Sequence, residues 1–199
     1  MPFITIATED ELSESVADRL VCDFLPLFNV NQRLRKGGNG YLKSKCHNFN
    51  QMALRQHVLL ITDLDNAICP VTLIANWFGH TQLNPNLIFR VAVKEIESWL
   101  LADHEGMQNL LVNGGNALTN TPDHLNYPKE YLLHRAKKAP REIKNDIVRV
   151  KGQVTRQGLG YNARLCQFVR ETWSPARAQQ TSESLSRAIQ RLQAIGQDI

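Results

Sequence analysis

Three short runs of β-branched and aliphatic residues set the fold of this chain: residues 3–7 (FITIA), 57–62 (HVLLIT) and 87–93 (LIFRVAV). None contains an acid, yet each runs into a polar segment that does: Glu9-Asp10, Asp63-Leu64-Asp65 and Lys94-Glu95-Ile96-Glu97. Apolar runs of this length suit strands buried on both faces, and such strands belong to parallel sheets, which need crossover helices between them. The intervening sequence supplies the helices. Leu12, Val16, Leu20, Val21, Phe24 and Leu25 recur at the spacing of an amphipathic helix, with Thr8 or a neighbouring acid placed to cap it. A short helix over 48–56 leads into the strongest strand, and Pro70 opens another over 70–79. Residues 35–45 (RKGGNGYLKSK) are glycine-rich and basic and are expected to form a loop. Later segments, 127–136, 141–150, 162–172 and 182–194, read as helices. The expected architecture is α/β: a doubly wound, mostly parallel sheet flanked by helices over residues 1–125, with a helical C-terminal elaboration over 126–199 packed on it.

With 199 residues and 43% hydrophobic composition the chain can build a real core. No apolar run approaches the roughly 18 residues of a membrane span, and the N-terminus lacks signal-peptide features, so a soluble cytoplasmic protein with no membrane partner is expected. Cys22, Cys46, Cys69 and Cys166 include no CxxC pair, which fits reduced thiols rather than a zinc ribbon.

The formal charge of +4 hides a strong block pattern. Residues 1–28 carry six acids and one base, 29–57 six bases and no acid, 58–128 seven acids and two bases, and 129–156 nine bases and three acids. The acids that matter most fall where an open α/β sheet places its chemistry, at the carboxyl ends of strands. Glu9 follows the first strand, Asp63 and Asp65 the strongest, and Glu95 with Glu97 the last. In an extended DxD both carboxylates point one way, because strand side chains alternate with period two. A cluster of such carboxylates stays ionised only beside a cation, and Mg²⁺, a hard ion that keeps waters for a phosphate, is the natural partner. Each acid also has a plain structural reading, as a helix-start residue or a solvated turn.

Glu after the first strand and DxD after a later parallel strand resemble the Toprim domain of primases, topoisomerases and overcoming-lysogenization-defect nucleases. More specifically, the chain is similar to a family of short stand-alone Toprim-like proteins of bacterial origin, known as a domain of unknown function and often encoded beside an AAA-type ATPase. The resemblance runs through Thr8-Glu9, RKGGNGYLK at 35–43, LLITDLDNAICP at 59–70, FRVAVKEIESWLLAD at 89–103, Tyr127-Pro128-Lys129, Gly160-Tyr161-Asn162 and SESLSRAIQRL at 182–192. It implies a Mg²⁺ (or Mn²⁺) site made by Glu9, Asp63, Asp65 and Glu97, with Glu9 or Glu95 as general base and Lys129 supporting the phosphate. Trp99 is read as packing. Toprim proteins commonly place glycine after the first glutamate, where this chain has Asp10.

The basic blocks then have a candidate partner. Arg35, Lys36, Lys43 and Lys45 around Gly37-Gly38-Asn39-Gly40, and Lys137, Lys138 and Arg141 in the second block, are the expected nucleic-acid contacts, for DNA or RNA. Tyr41 is a candidate base-stacking residue. GGNG lacks a following GK[ST] and is no P-loop, so no intrinsic ATPase is expected. The leading expectation is a Mg²⁺-dependent nuclease in phage defence or DNA processing. The alternatives are a non-catalytic regulatory subunit of an AAA ATPase and a receiver-like or small-molecule-binding α/β domain. A second copy of the chain is a further candidate partner.

Overall fold

The acid-free run at 57–62 becomes the centre of a four-stranded sheet in the computed structural model, which describes residues 1–35, 37–112, 118–152 and 154–197. The chain forms two compact units, 1–93 with 187–199, and 94–186. In the first unit the order is β1 (Phe3–Ala7), α1 (Glu11–Phe24), β2 (Asn29–Leu34), α2 (Gly38–Met52), β3 (His57–Asp63), α3 (Pro70–Phe78) and β4 (Leu87–Ala92). The sheet order is β2-β1-β3-β4 and every pairing is parallel. The α/β class and the parallel sheet flanked by helices are therefore present.

Strand alternation explains how the faces are covered. Val58 and Leu60 of β3 join Leu87, Phe89 and Val91 of β4 in a core with Leu42, Cys46 and Phe49 of α2 and Leu73, Trp77 and Phe78 of α3. Ile4, Ile6, Leu59 and Ile61 occupy the alternate positions and are fully buried. α1, with Leu12, Val16, Leu20 and Val21 buried, packs on β1 and β3. Each such aliphatic side chain contributes about 1.5–3 kcal/mol on burial.

Two sequence expectations change, and one strand, β2, carries no sequence expectation. β2 (NVNQRL) is a polar edge strand, mostly exposed, and its sequence lacks the apolar alternation of a strand. The expected loop over 35–45 is largely helix, because α2 starts at Gly38, directly after Gly37 at φ 95. The expected helix over 141–150 stops at Ile147, and the next residues form a strand.

The second unit holds α4 (Glu97–Leu101), α5 (His104–Leu111), a 3-10 turn at Pro122–His124, α6 (Pro128–Ala136), α7 (Arg141–Ile147), the antiparallel pair β5 (Val148–Lys151) and β6 (Val154–Gln157), α8 (Tyr161–Glu171) and α9 (Pro175–Ala178). The last helix, α10 (Glu183–Gln197), begins here, and its residues from Arg187 onward belong to the first unit. Residues 94–112 group with the later helices. Two fully buried tryptophans show why: Trp99 Nε1 donates to Ser184 Oγ at 2.7 Å, and Trp173 Nε1 donates to the Trp99 carbonyl at 3.1 Å. The unit is also clamped by Asp103, at 0% exposure, which accepts from Gly106 N, Ser174 N and both Nε and an Nη of Arg177 at 2.7–3.1 Å. Among the described residues no helix is long and apolar enough to cross a membrane.

Candidate functional site

The first unit gathers acids at the carboxyl end of its sheet. β1 ends at Ala7, Thr8 N donates to Leu34 O at 3.2 Å, and the chain turns at Glu9 into α1. Asp10 caps that helix: its Oδ1 accepts from Ser13 N at 2.8 Å, and Ser13 Oγ accepts from Asp10 N at 3.1 Å. Asp10 is therefore the N-cap of α1, in a capping box with Ser13. The Glu9 side chain reaches β3, the neighbour of β1. Its Oε1 accepts the Thr62 hydroxyl at 2.5 Å and the Asp63 amide at 2.9 Å. Burial pushes the Glu9 carboxyl above its ordinary range, the Thr62 and Asp63 hydrogen bonds oppose that rise, and repulsion from Asp65 and Asp10 adds to it.

Asp63 is the last residue of β3, and Leu64 N continues the pairing by donating to Ala92 O at 2.9 Å. Asp65 then takes φ 48, in the left-handed region, while Leu64 is buried. The two aspartates therefore do not share one face of an extended strand. A non-glycine residue in this region costs on the order of 1–3 kcal/mol, and such residues gather at functional sites. Asp65 Oδ2 accepts from Asn39 Nδ2 at 3.3 Å, and Gly38 N donates to the Glu9 carbonyl at 3.2 Å. The start of α2 is thereby held against the Glu9 turn. Its N-cap, Gly37, provides no side-chain cap, so beyond the Gly38 amide, which serves Glu9, the first turn has amides with no capping side chain.

Glu95, Glu97 and Lys129 meet in the second unit. Glu95 Oε2 accepts the Lys129 amide at 2.8 Å, capping α6 from outside its own chain segment. Glu97 is 1% exposed; its Oε1 accepts the Tyr161 hydroxyl at 2.7 Å and lies 3.3 Å from Lys129 Nζ. Glu97 Oε2 is buried with no hydrogen-bond partner among the described residues. Burial raises the Glu97 carboxyl above its ordinary range, Lys129 and Tyr161 act against that, and Glu95 adds to it. Lys129 Nζ also lies 5.9 Å from the Tyr161 ring centroid. The four carboxylates expected as one metal set thus divide between units: Glu9, Asp63 and Asp65 in the first, Glu97 in the second.

The first-unit acids, Glu9, Asp63 and Asp65, offer carboxylate oxygens, the kind of hard donor that Mg²⁺ takes. Among the described residues no group of three or more His, Cys, Asp or Glu side chains is arranged to hold a metal ion. Mg²⁺ commonly uses one or two carboxylates, completing its shell with water and substrate oxygens.

The basic residues are scattered in role. Arg35 lies 3.7 Å from Glu14, Lys43 and Lys45 are exposed on α2, and Lys36 lies outside the described residues. Lys137 is half-buried at the end of α6, while Lys138 and Arg141 are exposed. Tyr41 packs edge-on to Phe49, with ring centroids 6.4 Å apart, as part of the apolar cluster around α2. Sequence reasoning missed Thr62, Asn39 and Tyr161. Tyr161 carried a faint signal, standing in the Gly160-Tyr161-Asn162 segment, whereas Thr62 reads as one more β-branched strand residue. Compared with known proteins, the chain matches no family model, no curated protein and no solved structure.

Proposed function

We propose that the chain is a Mg²⁺-dependent phosphodiesterase of the Toprim type, acting on nucleic acid. The observation that carries this reading is the docking of Glu9 at the end of β3, through the Thr62 hydroxyl and the Asp63 amide. Two acids 54 positions apart are thereby brought to one strand end. Oε1 of Glu9 takes both of these donors, and Oε2, with the Asp63 and Asp65 carboxylates, would hold the cation. When bound, such an ion neutralises phosphate charge and lowers the pKa of a water. The uncapped first turn of α2 offers backbone donors to phosphate oxygens beside these carboxylates. Lys129 already serves Glu97, so a part for it in phosphate binding requires leaving that partner.

The test is incubation of supercoiled plasmid and of RNA with the purified chain in Mg²⁺ or Mn²⁺. Cleavage by the wild type, lost on chelation and in Asp63→Asn and Glu9→Gln, is the expected result. Identical behaviour of wild type and Asp63→Ala on both substrates removes the enzyme reading. One observation favours a second reading: Glu97 is already paired with Lys129 and accepts from Tyr161, the protein's own groups. On that reading the chain is a non-catalytic regulatory subunit, which co-purifies with an AAA ATPase and cleaves nothing alone.

A further inference from the structure

The β5–β6 ribbon is the feature that neither the carboxylates nor the sequence expectations account for. Arg149 and Arg156 are direct partners across its antiparallel ladder, and both are exposed. Like charges directly opposite each other destabilise a two-stranded pair, and a lone ribbon has little stability to spare. Neither guanidinium has a hydrogen-bond or ion-pair partner among the described residues. Two of the acids in this basic block, Glu142 and Asp146, pair instead with Arg164 of α8, at 3.2 and 2.5 Å. Val150 and Val154 add apolar surface, at 54% and 53% exposure.

The ribbon is nonetheless fixed at its root. β5 follows α7 without a connecting loop, and Gly158 N closes the base by donating to Ile147 O at 2.8 Å. A Cβ on Gly158 would collide with the Asp146 carbonyl, and one on Gly160 would press on the Asp146 side chain, so the returning chain lies directly on the end of α7. A rigid stem thus presents a like-charged pair to solvent.

We infer that this ribbon is a docking element for duplex DNA, its Arg149 and Arg156 contacting phosphates as the two strands enter the major groove. The inference rests on the nucleic-acid part of the function proposed above and names the element and the substrate form. Strands about 4.8 Å apart, with their side chains, fit a groove about 12 Å wide, which is known to admit a two-stranded ribbon. The deep, narrow major groove of duplex RNA does not admit one. A polyanion also removes the repulsion that the ribbon carries when alone.

The experiment is fluorescence anisotropy of a labelled 20-bp DNA duplex with the full chain, in EDTA so that no cleavage intervenes, over a series of salt concentrations. For R149Q/R156Q the slope of log K against log salt should become shallower by about 1.8, from about 0.9 per phosphate contact, with affinity at low salt at least roughly tenfold weaker. R149E controls for folding. It places opposite charges across the ladder, so its melting temperature should be unchanged or higher while DNA binding falls. Wild-type binding retained by R149Q/R156Q, absence of wild-type binding at low salt, or equal binding of a duplex RNA through the same arginines overturns the inference. Ribbon-dependent binding without Mg²⁺-dependent cleavage upholds it while removing the nuclease reading; cleavage and binding unaffected by R149Q/R156Q do the reverse.

Discussion

Replacing Thr62 by valine keeps the shape of a side chain that is 1% exposed and removes one hydroxyl. That hydroxyl donates to Glu9 Oε1 at 2.5 Å, the short distance of a bond to an ionised acceptor. Hydrogen bonds to charged groups contribute about 1.5–3 kcal/mol. Glu9 is half-buried and keeps the Asp63 amide, so water and that amide recover part of the loss. The expected cost is about 1–2 kcal/mol at neutral pH, a fall in Tm of roughly 2–8 °C for a chain of this size. The pH dependence gives the sharper test. Glu9 sits above its ordinary value of 4.5 because burial outweighs the two hydrogen bonds, so the folded chain holds its proton to higher pH than the unfolded chain. Wild-type stability therefore falls as pH rises through the folded pKa. The Thr62 bond opposes this shift and acts on the ionised carboxylate. Its contribution is present above the folded pKa and fades as pH falls through it. Urea unfolding at neutral and acid pH should show the gap between wild type and Thr62→Val narrowing on acidification. A gap of constant size, or one within about 0.5 kcal/mol of zero at neutral pH, refutes the account of how Glu9 is held.

Arg177→Ala strips two donors from the fully buried Asp103 and should cost about 3–5 kcal/mol in urea unfolding, with Arg177→Lys recovering only part because lysine lacks the planar fork. Buried Trp99 and Trp173 belong to the same unit as this clamp, so tryptophan fluorescence follows the transition. His57 is held below its ordinary value of 6.5 by burial and by Arg191, so the folded chain binds its proton less readily than the unfolded chain. Stability should fall as pH drops through 6.5 towards the folded pKa, and His57→Gln should flatten that part of the profile measured by thermal unfolding. Mg²⁺ at about 100 times its Kd should stabilise the wild type by about 2.7 kcal/mol, raising Tm by roughly 5–11 °C, and Glu9→Gln should abolish the rise. An equal rise in wild type and variant means that the ion binds elsewhere.

The elements that were legible in the sequence are those whose burial leaves a periodic mark. β3 and β4 are apolar because both faces are covered, and α1 shows its buried stripe. β2 was illegible because it is a polar edge strand, held beside β1 by ladder bonds and by Asn31, which accepts from the Thr5 hydroxyl at 3.0 Å. The start of α2 was hidden by Gly37 and Gly38, whose glycine-rich segment reads as a loop although the helix begins within it. β5 merged into the expected helix over 141–150 because REIKNDI and VRV share one apolar spacing, and β6, with four residues, is too short to announce itself. At the candidate site, Glu9, Asp63 and Asp65 followed from strand ends alone. The left-handed turn at Asp65 and the partnership of Glu97 with Tyr161, 64 positions away, are tertiary facts with no local trace.

The allocation of α10 bears on how the chain is made. Residues 187–197 belong to the first unit, and Gly196 lies close against the Phe24 carbonyl and Leu25 at the end of α1. The sheet can pair as soon as β4 leaves the ribosome, but this last segment arrives only after residues 94–186 have been translated, roughly 5–20 s later at usual elongation rates. During that interval the nascent first unit carries an uncovered apolar strip, and a chaperone that binds such surface has its opportunity there.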